Sequence, residues 1–285
     1  MVEKLLCHEL WLEFLEYKTS KKLLSPGEER YLRGYIENRK YLPIAKQVLS
    51  GEFHFSAPEK KELNKLGTSK KRIVYCFPDD ENVLLKMLSW LLYRYDGAIP
   101  DNCYSFRKDT GARKAFLKMA EFPFIGELYG FKADISDYFN SIDVSLLLPM
   151  LRETITDDMA LLRLLEGLLC DNRAIWQGEI IRENRGVMAG TPTSPFFANL
   201  YLKEMDGYFA ARNVLYARYS DDVLMFGTKE EIDGHIAAYQ SFLRKYRLAS
   251  NPSKEQRLHR ETSGTFWASI IITAQLTYPR LLFVS

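Results

Sequence analysis

Tyr219-Ser220-Asp221-Asp222 sets two carboxylates side by side between two short apolar runs, Asn213-Val214-Leu215-Tyr216-Ala217-Arg218 and Val223-Leu224-Met225-Phe226. Like charges held together repel, so a fold that keeps them adjacent usually places a cation there. A third acid, Asp134, follows the run Gly130-Phe131-Lys132-Ala133, 87 residues upstream (221 − 134). Two strands lying side by side would converge the three carboxylates on one spot, the donor set of a two-Mg²⁺ phosphoryl-transfer site. Each piece alone has a plainer reading. An Asp-Asp pair suits a turn, and Asp134 could cap the turn that follows it.

For the acids to meet, residues 213–226 must be strand, two-residue turn and strand, and 130–134 a neighbouring strand. The rest of the chain reads as follows. Residues 1–70 are helical and polar-faced. Ser25-Pro26-Gly27-Glu28 has capping-box spacing with proline at the first helical position, which predicts a helix through about Val48. The stretch 59–72 is dense in lysine, a solvated surface segment on the plain reading, and leads into a strand at Ile73-Val74-Tyr75-Cys76-Phe77 that Pro78 ends. Periodic apolar residues predict a helix over 79–95. Cys103-Tyr104-Ser105-Phe106-Arg107-Lys108 precedes a glycine turn and a basic helix carrying Arg113, Lys114 and Lys118. From Gly130 strands and helices alternate. Residues 161–169 form a buried helix, Ser194 caps a helix running from Pro195 to about Ala211, and 229–246 is amphipathic.

Composition bounds what this can be. The chain has 285 residues, enough for one large or two modest cores, with 47% hydrophobic and 27% charged residues as in ordinary globular proteins. Net charge is +2, so any affinity for nucleic acid must come from local clusters. The cysteines at 7, 76, 103 and 170 are widely spaced, which argues for reduced thiols in a cytoplasmic protein and against a zinc site or a disulfide framework. No apolar run reaches membrane-spanning length, and no membrane partner is expected.

The order of motifs adds company to the acids. A basic strand (70–77), Ser-Phe-Arg (105–107) and a strand ending in Asp134 are followed by Gly190-Thr191-Pro192-Thr193-Ser194-Pro195. The Asp-Asp hairpin and Asn251-Pro252-Ser253-Lys254 then close the series. Over about 60–266 this order resembles the reverse transcriptase family, particularly the bacterial branch of group II intron, retron and phage-defence enzymes. The resemblance implies an α+β right-hand polymerase, fingers and palm, with an antiparallel palm sheet backed by helices. It divides the chain into an N-terminal helical extension (1–60), fingers (61–130 with part of 145–190), palm (131–266) and an atypical tail (267–285).

The resemblance also implies roles. Asp134, Asp221 and Asp222 would hold two Mg²⁺ ions, with Mn²⁺ an alternative and the main-chain carbonyl of Ile135 a further ligand. Lys254 would protonate the leaving pyrophosphate, its plain alternative being a solvated lysine. Arg107 and one of Lys70, Lys71 or Arg72, the latter two ahead of Lys70, would clamp the triphosphate, since an arginine fork suits phosphate oxygens and lysine acts as a point charge. Phe139 stands at the position where a bulky ring collides with a ribose 2′-hydroxyl and selects dNTPs, unless it is simply a core residue beside Tyr138. The turn at Ala189 and Gly190 would approach nucleotide and template. Many relatives carry glutamine where this chain has Ala189, which puts fidelity and ordinary template use in doubt.

After Phe266 the resemblance fades. Relatives continue with a Phe-Leu-Gly-Phe hairpin and a helical thumb, whereas this chain reads Phe266-Trp267-Ala268-Ser269. Read one base earlier, Phe-Trp-Ala codons spell Leu-Gly, so 267–285 can arise from a one-base slip with loss of the thumb; a genuine short tail is the competing reading. The expected activity is RNA-directed DNA synthesis on a DNA or RNA primer, with RNA template, dNTPs and a dedicated non-coding RNA as partners. Template-independent or protein-primed synthesis is the second reading. A truncated, non-catalytic RNA-binding relative is the third.

Overall fold

The computed structural model describes residues 1–64, 71–183 and 186–258, so the expected atypical tail at 267–285 lies outside the described residues. Helices α1 (His8–Ser20), α2 (Pro26–Glu37) and α3 (Leu42–Ser50) come first, then strands β1 (Glu59–Asn64) and β2 (Lys71–Cys76). Next are α4 (Asp79–Leu91), α5 (Ala112–Ala120), β3 (Tyr129–Asp134), α6 (Tyr138–Ser141), α7 (Val144–Thr154) and α8 (Met159–Cys170). A short hairpin, β4 (Arg173–Trp176) and β5 (Glu179–Arg182), precedes α9 (Ser194–Tyr201) and α10 (Lys203–Ala211). The series ends with β6 (Leu215–Tyr219), β7 (Asp222–Gly227), α11 (Lys229–Lys245) and β8 (Gln256–Leu258). The fold is α+β, as the sequence predicts. The described residues divide into two compact units, 1–94 with 148–194, and 95–147 with 195–258.

The first unit holds a four-stranded sheet in the order β2-β1-β4-β5. Its helices close over an aromatic core in which Trp11 stacks on Tyr41 at 4.7 Å between ring centroids. The Ser25–Glu28 capping box forms. The helix it opens stops at Glu37 rather than running to Val48, because Arg39 takes a left-handed φ of 51° and Pro43 has no N–H to donate. The lysine-rich segment also departs from expectation. Glu59–Asn64 is a strand, paired with β2 from Glu59↔Cys76 to Asn64↔Lys71. Its charged side chains stay at the surface, so charge concealed a strand held mainly by its backbone ladder.

The second unit holds the sheet β6-β7-β3-β8, antiparallel throughout. Strand β3 is interior, and its Phe131 and Ala133 are buried. A Cβ at Gly130 would lie 2.8 Å from both Leu258 Cδ1 and Phe226 Cε1, so any side chain there must push those of β7 or β8 aside. Helix α11 begins with a Thr228–Glu231 capping box and buries Ile232, Ile236, Tyr239 and Leu243, one stripe of its surface. Tyr239 meets Phe131 of β3 at 5.9 Å. Burying each such aliphatic side chain stabilises the packing by about 1.5–3 kcal/mol. The helix expected from Pro195 to Ala211 is two helices, broken at Leu202 (φ −107°, ψ 12°). Its first residue is Ser194, whose hydroxyl donates to the carbonyls of Val187 and Met188 instead of capping the helix.

Candidate active site

The β3–β7 register settles where the acids stand. Asp134 lies directly opposite Asp222, and opposed residues of an antiparallel pair share a face with Cα atoms about 5 Å apart. One residue further, the Ile135 N–H donates to the Asp221 carbonyl at 3.0 Å. The β6–β7 hairpin turns through Ser220 and Asp221, with Tyr219 paired to Asp222 and Ser220 at φ 59°. Three acids from two segments 87 residues apart therefore sit at one end of one sheet.

Their electrostatics follow from that crowding. Asp134 is 5% exposed. Burial, then the charges of Asp222 and Asp134, push the Asp221 carboxyl up to about 6. The Lys254 ammonium lies 2.5 Å from Asp134 Oδ2. Burial alone would lower the Lys254 pKa, but its hydrogen bond and attraction to Asp134, with Asp221 and Asp222 adding to it, raise it overall. Lys254 is delivered by a short turn that Asn251 caps: the Asn251 side chain accepts from Ser253 N–H, and the Asn251 N–H donates to the Asp134 carbonyl at 2.8 Å. Ile135 is buried and bridges to Ser250.

The hard oxygen donors of Asp134, Asp221 and Asp222 suit Mg²⁺ or Mn²⁺, and a divalent ion would relieve the repulsion that raises Asp221. Among the described residues no three acidic, histidine or cysteine side chains are grouped so as to hold a metal ion as they stand, so the three carboxylates would have to converge further to share one. Lys254 takes the cationic place on Asp134.

An aromatic chain flanks the acids. Phe106 meets Tyr219 at 6.1 Å and Phe139 at 6.3 Å. Phe139 is partly exposed on α6, whereas Tyr138 is buried with its hydroxyl donating to the Ala198 carbonyl. Arg107 is held inward. Its guanidinium donates to the carbonyls of Pro100 (2.9 Å), Cys103 (3.1 Å) and Asp96 (3.3 Å), and to the Asp101 carboxylate. It can reach a triphosphate only by exchanging those acceptors for phosphate oxygens.

The remaining sequence-predicted residues belong to the first unit. Lys71 lies on β2 with its ammonium 2.5 Å from Glu62, mostly exposed. Arg72 is the next residue of that strand, and its side chain, like the whole of Lys70, is outside the described part. The Ala189 carbonyl accepts from Tyr75 N–H at 3.0 Å, which ties the 189–195 turn to β2. Gly190 has φ 96°, and a Cβ there would come 3.1 Å from Val74 Cβ, so the turn needs glycine twice over.

Sequence reasoning missed Arg218, Asp206, Asn199 and Ser105, which are buried around the hairpin turn. One signal was present: an arginine inside the apolar strand Leu215-Tyr216-Ala217-Arg218-Tyr219 requires a buried partner.

The same fold is found among solved structures, of which three serve as examples. The chain is similar to apo telomerase from Candida tropicalis (TM-score 0.59, 11% identity, 74% of this chain and 45% of that one). It is similar to telomerase from the same organism in complex with a TWJ fragment of telomeric RNA (TM-score 0.58, 10% identity, 72% of this chain and 41% of that one). Telomerase from Candida albicans, with a fragment of the same kind, is a third (0.54, 13%, 81% and 48%). The chain thus spans less than half the length of each. No curated protein matches it in sequence. The family model for reverse transcriptase (RNA-dependent DNA polymerase) matches residues 58–271, a span that takes in both strands bearing the acids, and the chain belongs to that family.

Proposed function

We propose that this chain is an RNA-directed DNA polymerase of the bacterial group II intron, retron or phage-defence type, which adds dNTPs to a primer 3′-hydroxyl. The observation that carries the reading is the register Asp134↔Asp222 with Ile135 hydrogen-bonded to Asp221. The palm is 131–266 and the fingers 61–130 with part of 145–190. Asp134, Asp221 and Asp222, with the Ile135 carbonyl, would hold two Mg²⁺ or Mn²⁺ ions. Such ions lower the pKa of the attacking 3′-hydroxyl and neutralise the leaving pyrophosphate.

The side chains do the rest. Lys254, paired with Asp134, would give a proton to the pyrophosphate. Phe139, partly exposed beside the acids, excludes a ribose 2′-hydroxyl. Lys71, Arg72 and Arg107 contact the triphosphate, Arg107 after leaving its carbonyl partners. Ala189 and Gly190 bring a close-packed turn to nucleotide and template. The fold shared with a telomerase bound to a telomeric RNA fragment supports an RNA template, and a structured non-coding RNA fits the same reading.

Primer extension tests it. The chain extends a primer on an RNA template with dNTPs and Mg²⁺, and Asp221→Asn does not while still binding RNA. Ala189, which offers no side-chain amide, favours a second reading of template-independent or protein-primed synthesis. Homopolymer made without template, or DNA covalently linked to protein, would select it. RNA binding without any synthesis would select a non-catalytic relative.

A further inference from the structure

Four side chains with no part in the proposed chemistry meet beneath the turn of the β6–β7 hairpin. Arg218 on β6 and Asp206 on α10 are both fully buried. The pair is two-pronged: Arg218 Nη2 donates to Asp206 Oδ2 at 2.5 Å and Nε donates to Oδ1 at 2.9 Å. Tyr216 adds a hydrogen bond to Asp206 Oδ1 at 2.9 Å. Nη1 donates to the Ser220 carbonyl (3.1 Å) and Nη2 also to the Asn199 carbonyl (3.3 Å).

Ser220 is held from its other side as well. Its N–H donates to Ser105 Oγ at 2.9 Å, that hydroxyl donates to Asn199 Oδ1 at 2.9 Å, and Asn199 Nδ2 donates to the Ser105 carbonyl at 2.6 Å. Both backbone polar groups of Ser220 are thus bound by side chains, the N–H by Ser105, 115 residues away in sequence, and the carbonyl by Arg218 of the adjoining strand. Ser220 needs such holding, since its φ of 59° is disfavoured for any residue with a Cβ. The next residue is Asp221.

Stability alone does not account for the arrangement. A buried ion pair loses so much hydration that apolar residues of similar volume commonly serve as well. Here the arginine of the pair also holds the Ser220 carbonyl in the turn and the Asn199 carbonyl beside it. We propose that Arg218, Asp206, Asn199 and Ser105 are positioning residues, a clamp that fixes the peptide planes on both sides of Ser220 and so the direction of the Asp221 carboxylate. This deepens the proposed function and rests on it for the role given to Asp221.

The test uses Ser105→Ala, which deletes one oxygen, and Arg218→Lys, which keeps the charge but cannot serve Asp206 and both carbonyls together. Three quantities are read on the full chain: deuterium uptake of the peptide 216–224 with 229–245 as control, Mn²⁺ affinity by electron paramagnetic resonance, and kcat against KM for dNTP. Removing a buried acceptor should speed turn exchange and weaken Mn²⁺ binding, each about tenfold in Ser105→Ala, with uptake in 229–245 unchanged. The rate loss should fall on kcat more than on KM. Turn exchange equal to that of the parent overturns the clamp. Faster exchange with Mn²⁺ affinity within about twofold of the parent overturns its link to Asp221. Should Arg218→Lys not fold, Ser105→Ala decides. If the parent itself binds no Mn²⁺, the metal-site reading falls, and the exchange comparison alone still decides the clamp.

Discussion

Asp221 folds with its carboxyl pushed from an ordinary 3.8 to about 6, by burial first and by Asp222 and Asp134 second. A group whose folded value lies above its unfolded one takes up a proton on folding between the two values. Its contribution to stability therefore falls as pH rises through about 4 to 6. Asp221→Asn, which mimics the protonated form, should melt above the parent at pH 8, with the gap shrinking below about pH 4. Adding Mn²⁺ at pH 8 should raise the parent's Tm and leave the variant's unmoved, since only an ion that binds the native site stabilises it. If the two proteins respond alike to pH and to Mn²⁺, Asp221 does not feel its neighbours as described. Phe139→Ala should narrow discrimination between dNTP and rNTP by about tenfold or more, measured as the ratio of kcat/KM values. Unchanged sugar selection would leave Phe139 a packing residue.

At the scale of elements, register is the decisive quantity. A one-residue slip of β7 on β3 would turn the side chains of β7 to the opposite face and part Asp222 from Asp134. Gly130 sits where β7 and β8 close on β3, so Gly130→Ala should cost about 1–3 kcal/mol in denaturant unfolding, by forcing Phe226 or Leu258 aside. No loss of stability would mean the strands are less tightly apposed. The hairpin and the ends of its strands were legible in sequence because apolar runs flank a turn of Ser and Asp, and short-range rules carry that far. The capping box at Ser25 is equally local, and the one at Thr228, of the same kind, went unread. Most of what escaped depends on distant partners. Strand β1 hides under lysine and glutamate until β2 supplies its ladder, and one helix breaks at Leu202, where no strong breaker stands; the break at Arg39 had a local signal in Pro43 that went unread. Arg218 announced a buried partner, but nothing in the order of residues says that the partner is Asp206 or that both serve Ser220.

For the whole molecule, family membership rests on a match over 58–271 and the fold is shared with telomerases at 10 to 13% identity. So little identity means the architecture is held by patterning and by a few constrained positions rather than by a common set of core residues. With a net charge of only +2, the RNA binding proposed for this chain would have to draw on local clusters. Affinity for single-stranded RNA should then fall log-linearly with salt, by a slope of about −0.7 per phosphate contacted; a flat salt response would remove the electrostatic account. The claim beneath all of this is that Asp134, Asp221 and Asp222 together hold divalent ions. Anomalous diffraction from a crystal soaked in Mn²⁺ tests it most directly. The account predicts a manganese peak within about 2.5 Å of carboxylate oxygens of both Asp134 and Asp221, lost in Asp221→Asn. Manganese bound only elsewhere, with Lys254 still on Asp134, would contradict it.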